Sequence, residues 1–158
     1  MIRATLAAVV IAIGATAVAA HSNKSHLSDQ SDPVDQRAVL MHRKGEIVYG
    51  TFTKMVRGEQ SYDQAKVDEG FAALKELARR LPPLYPETAK GQSPEADYYA
   101  SSKVWETKAD FDARLAKLIK EIDANVPRAT SLDGLRQARA AIAKTCNDCH
   151  EIYRMKKN

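Results

Sequence analysis

The sequence predicts an all-α protein built as an antiparallel four-helix bundle. Apolar residues recur at steps of three and four in four separate segments, and no segment shows the strict alternation of a half-buried strand. Capping and breaking residues bound each segment at about 20 residues, a length suited to ridge-into-groove packing of near-antiparallel helices. The bundle is expected to occupy residues 32–158, behind a signal peptide over 1–20 and a disordered leader over 21–31.

Each helix is justified by its own residues. The first opens at Asp32-Pro33, an N-cap followed by proline at the first helical position. Its inner face is expected to be Val34, Ala38, Met41, Gly45, Val48, Phe52 and Met55, with Gly58 as the stop. The second opens at Ser61 with Gln64 as a capping box, lines its inner face with Val67, Phe71, Leu74, Leu77 and Leu81, and ends at Pro82-Pro83. A long connection then runs from Pro82 to about Glu106, a length uncommon in compact domains unless the segment packs on something or does a job. The third helix starts near Thr107, buries Phe111, Leu115, Leu118, Ile122 and Val126, and closes at Pro127. The fourth starts near Thr130 or Ser131 and is expected to run to the C-terminus, with Leu135, Ala138, Ile142, Cys146, Cys149 and Tyr153 inward. Short first and third connections make those helix pairs antiparallel neighbours.

Composition narrows the class. In 158 residues there are 24 Lys+Arg, 20 Asp+Glu and two Cys, enough chain for one core but not for two. Two cysteines rule out a disulfide-stapled miniature fold and a four-thiolate zinc site. Sixteen of the first twenty residues are apolar; Arg3 precedes an uncharged run from Ala4 to Ala20 that ends in small residues. That is the pattern of a secretory signal cleaved after Ala19 or Ala20. A membrane anchor is the rival reading, but the run is short for a hydrocarbon core that needs about 20 residues. The mildly basic mature chain does not call for nucleic acid, and once the signal is removed no membrane association is expected.

One constellation carries chemistry: Cys146-Asn147-Asp148-Cys149-His150. Cys-x-x-Cys-His is the haem c attachment motif. Thiols at i and i+3 share a helix face and reach the two vinyl groups on one porphyrin edge, and the adjacent histidine presents an imidazole nitrogen to iron. A disulfide between cysteines three apart in a helix is strained. A redox-active Cys-x-x-Cys belongs after a strand in an α/β fold. A zinc site needs two more ligands, and His21, His26 and His42 supply no matching pair. Haem c, one group held by two thioethers, is the reading that fits. Arg154 lies one turn past His150 and either approaches the haem or simply complements the helix end.

A single Cys-x-x-Cys-His at the end of a four-helix bundle resembles the class II c-type cytochromes, the cytochrome c-prime family. The similarity spans about Val34 to Lys157 and includes Trp105, Phe111 and the stretch Cys149, His150, Tyr153, Arg154. The resemblance implies that one position on the first helix, four residues after an arginine, decides the iron's sixth ligand. Here Arg37 precedes Met41, so the chain looks like the low-spin cytochrome c-556 type, with His150 and Met41 as axial ligands. Met41 as a plain core residue is the alternative, and His42, adjacent but off the seam, is a second candidate ligand. Gly45, one turn beyond Met41, leaves room for a porphyrin, and Arg37 is a further candidate haem contact.

The function expected is that of a periplasmic one-electron carrier serving redox partner proteins, not an enzyme. The alternative is a five-coordinate haem binding nitric oxide or carbon monoxide. A basic rim of Arg136, Arg139, Lys144, Arg154 and Lys156 either steers acidic partners or is an ordinary solvated face. Related proteins pair through their first two helices, so a homodimer is also within the expectation.

Overall fold

The computed structural model of the protein describes residues 32–158, so the signal peptide and leader expected over 1–31 lie outside the described residues. Helix α1 (Pro33–Gly45) begins as expected: the Asp32 side chain accepts from the Val34 N–H at 2.8 Å, with proline in the first turn. The helix does not stop at Gly45. It widens into a π-helical stretch, Glu46–Phe52, and tightens again into α2 (Thr53–Val56). The Thr53 hydroxyl donates to the Val48 carbonyl at 2.9 Å inside this widened turn. Gly58, at φ +75°, then reverses the chain in a conformation that costs only glycine little.

Helix α3 (Gln64–Arg80) is capped by Asp63, whose carboxylate accepts from Lys66 N–H at 3.2 Å. The Ser61–Gln64 box expected from the sequence therefore does not form. An anionic cap two residues on suits the positive helix end better than a hydroxyl. The Gln64 amide instead donates to Asp68 at 2.7 Å and to the Ala129 carbonyl at 3.3 Å. All five expected inner residues of α3 are buried. Gly70 is buried beside them because Phe52 fills the space a side chain would need: a Cβ there would lie 2.6 Å from the Phe52 ring.

The long connection is structured. Two 3-10 turns, Pro82–Leu84 and Glu87–Ala89, lead to strand β1 (Tyr98–Ala100) and the short helix α4 (Lys103–Glu106). Helix α5 (Lys108–Asn125) follows, and then α6 (Leu132–Tyr153), capped by Ser131 accepting from Gly134 N–H at 3.1 Å. Two sequence expectations are corrected here. The last helix ends at Tyr153, and Arg154–Lys156 form β2, antiparallel to β1 with Tyr98 opposite Lys156 and Ala100 opposite Arg154. Val126 is 42% exposed rather than inward, because α5 ends at Asn125 and a 3-10 turn swings it outward.

The four long helical stretches make a bundle in which α5 packs on α6 and α3, and α6 also meets α2 and the π-helical stretch. Buried side chains form two clusters. One joins Phe52, Phe71, Leu74, Ile122, Leu135 and Ile142; the other joins Leu40, Leu77, Leu81, Val104, Phe111 and Tyr153. At their junction α1 departs from expectation. Arg37, Leu40 and Lys44 are buried, whereas Val34, Ala38, Met41 and Gly45 are only half-buried. Those four lie on an adjoining strip of the helix, and two of them, Met41 and Gly45, front a cleft, Met41 also packing against the second cluster.

Candidate haem site

The cleft opens between α1, the π-helical stretch, α5 and α6, and encloses about 60 Å³. Helix α6 contributes one wall. Positions 146, 149 and 150 are three and four residues apart, so the helix turn carries both sulfurs and the imidazole to one face. Cys146, Cys149 and His150 all line the cleft and are half-buried, and both cysteines are free thiols. The two residues between the cysteines hold the motif from outside. Asn147 Oδ1 accepts from the Tyr49 hydroxyl at 3.1 Å, and the Asp148 carbonyl accepts from Arg114 at 3.3 Å. Tyr153 fixes the end of the helix, buried edge-on to Phe111 at 5.1 Å, with its hydroxyl donating to Asp110 at 2.6 Å.

Met41 and Gly45 of α1 line the same cleft, together with apolar Leu74, Leu118 and Ile142. Electrostatics follow from burial. It pushes both thiols up, against the nearby charge of Lys44 for Cys146 and of Arg114 and then Lys44 for Cys149. It also pushes His150 down to about 4, assisted by the positive charges of Arg154 and Lys44, so the imidazole is neutral at physiological pH. A neutral imidazole is the form that binds a metal. Thiols for two vinyl groups, an imidazole on the same wall and a thioether from α1 form a donor set that fits haem c.

Of the residues singled out from the sequence, Met41, Gly45, Cys146, Cys149 and His150 meet around this cleft. Arg37 lies outside it. The guanidinium is 5% exposed and spends its donors on the connection: Nη1 on the carbonyls of Leu84 at 3.2 Å and Ala89 at 2.7 Å, Nη2 on Gly91 at 3.0 Å. It lies over the rings of Tyr85 and Trp105, at 5.1 and 5.7 Å. Arg154, the first residue of β2, stacks on Tyr98 at 4.4 Å in a polar depression that His150 also borders. His42 is exposed and meets Glu46 at 3.3 Å, turned away from the cleft. The basic rim is partly neutralised: Arg136 pairs with Asp133, Lys144 with Asp148, and Arg139 donates to Thr53 Oγ1 at 3.1 Å.

Sequence reasoning missed Lys44 and Arg114, both of which line the cleft. Lys44 is only 6% exposed, and its Nζ lies 3.9 Å from the Met41 sulfur. Burial lowers its pKa, an effect opposed by the two cysteines. The available signal was its position three residues after Met41, which brings the two side chains within reach of each other.

A four-helix bundle whose last helix presents Cys-x-x-Cys-His to an internal cleft defines a class II c-type cytochrome, and comparison with known proteins agrees. The sequence profile of the family described as Cytochrome C' matches residues 32–154. Cytochrome c-556 of Rhodopseudomonas palustris is 35% identical over 99% of both chains. The solved cytochrome c' of the same organism superposes with a TM-score of 0.73 at 31% identity, covering 82% of this chain and 100% of that one. The NMR-validated structural model of its oxidised cytochrome c-556 gives 0.68 at 36% identity with the same coverage. The chain belongs to the cytochrome c' family and carries haem c.

Proposed function

We propose that the protein is a periplasmic one-electron carrier whose haem iron is held by His150 and Met41, with Cys146 and Cys149 as the thioether anchors. The observation that carries this reading is the placement of Met41 on α1 in the same cleft as the Cys-x-x-Cys-His face of α6. Relatives named cytochrome c-556 support it. Haem, when bound, accepts and returns one electron. The chain's residues set the conditions for that exchange. Cys146 and Cys149 fix the ring against α6, and His150 is held neutral. Met41 offers a soft sulfur that favours the ferrous state and raises the potential relative to a second imidazole. Leu74, Leu118 and Ile142 keep the wall dry, so the local dielectric stays low. The export signal expected over residues 1–20 supports an exchange with redox proteins outside the cytoplasm. No helix among the described residues is long and apolar enough to cross a membrane.

Absorption spectra of the oxidised and reduced protein test the reading. Sharp low-spin bands, together with a ferric thioether charge-transfer band that disappears in Met41→Leu, are expected. A broad high-spin spectrum in the unmutated protein would overturn it and favour a five-coordinate haem that binds nitric oxide or carbon monoxide.

A further inference from the structure

We infer that Lys44 is a second ligand for the iron's sixth position, taking it whenever Met41 leaves. This rests on the cleft being the haem site and deepens the proposed ligation. Three observations carry it. Lys44 is buried at 6% exposure, yet no carboxylate pairs with it among the described residues. Its amine lines the same cleft as Cys146, Cys149 and His150. Among the described residues, the Met41 sulfur is its one hydrogen-bonding side-chain contact, 3.9 Å away, so nitrogen and sulfur lie side by side.

A buried amine is normally paired with an acceptor or held in its neutral form, whose lone pair is then free to bind a metal. The residues on either side of Lys44 show what an uninvolved polar side chain does on this helix. His42 and Arg43 both turn out to solvent, His42 toward Glu46. Lys44 is buried instead, one helical turn from Met41 and within side-chain reach of it, and the half-buried Gly45 beside it adds no bulk to the cleft. Met41 and Lys44 thus offer a soft thioether and a harder amine at one site, and the two suit opposite oxidation states of iron.

The exchange balances without a redox partner. With haem bound, Met41 would release the iron, and Lys44, its proton given up to solvent, would offer its amine nitrogen in place of the sulfur. The iron keeps its oxidation state throughout.

The test compares haem-loaded protein with Met41→Leu, Lys44→Leu and the double variant, read by ferric absorption and electron paramagnetic resonance at mildly alkaline pH. Lys44→Leu is expected to keep the thioether band. Met41→Leu is expected to lose that band but remain low-spin. The double variant is expected to become high-spin. A Met41→Leu protein that turns high-spin at once overturns the role of Lys44 while leaving Met41 in place. So does a double variant that stays low-spin. If unmutated protein is low-spin without a thioether band and becomes high-spin in Lys44→Leu, Met41 is not the resident ligand and Lys44 is. If it is high-spin from the start, both assignments fall. Haem content measured in each variant separates loss of ligation from loss of folding.

Discussion

Removing the Arg37 guanidinium should destabilise the protein far more than removing an ordinary surface arginine. In Arg37→Ala, three carbonyls from one connection lose their donor at once: Leu84, Ala89 and Gly91. Hydrogen bonds to a charged group contribute about 1.5–3 kcal/mol each, but neighbours sharing one donor do not add fully, so a total of about 3–5 kcal/mol is expected. The truncated side chain also leaves a gap between Tyr85 and Trp105, which pushes the value toward the upper end. With a urea slope near 2 kcal/mol/M, the unfolding midpoint should fall by about 2 M. Trp105 is the only tryptophan and lies over the guanidinium, so its fluorescence reports the transition from the affected place. Arg37→Lys keeps the charge without the planar fork and should lose an intermediate amount. A loss below about 1 kcal/mol in Arg37→Ala would refute the argument that this side chain ties the connection to α1.

Two further outcomes follow from geometry and charge. In Gly134→Ala the added Cβ overlaps the Arg128 carbonyl oxygen, a backbone atom that cannot step aside. The turn before α6 must therefore shift, and the melting temperature should drop steeply despite alanine's better helix propensity. Asp110 is held below its ordinary carboxyl value of 3.8, chiefly by the Tyr153 hydroxyl and then by Arg114. A depressed folded-state pKa adds stability above the ordinary value and loses it as the pH falls through the lowered one. Asp110→Asn should accordingly be less stable than the parent at neutral pH, with the gap closing in acid; a pH-independent gap in denaturation midpoints would contradict this.

How much was legible in the sequence depends on whether the signal was local. The Cys146–His150 spacing is itself the chemistry, so it could be read without any coordinates. The α3 and α6 faces were equally legible, because a residue such as Leu74 or Leu135 has one period to satisfy and one core to enter. The π-helical stretch at Glu46–Phe52 was not, since a shift in backbone hydrogen bonding leaves no mark in side-chain periodicity. Nor were β1 and β2, three residues each, whose pairing exists only because the fold brings position 98 beside 156. Lys44 escaped for a different reason: a charged residue on an amphipathic helix is assigned to solvent by default, and only the cleft explains why it turns inward.

The raised pKa of both cleft cysteines bears on how the protein is made. The thiolate is the nucleophile in cysteine chemistry, and a thiol shielded by packed helices is seldom ionised. With α6 docked, both thiols are further from ionisation, which slows their attack on a vinyl group and their oxidation alike. Thioether formation is therefore expected to be faster before the last helix packs than after it. Haem offered to urea-unfolded chain under reducing conditions should become covalently bound faster than haem offered to the folded form.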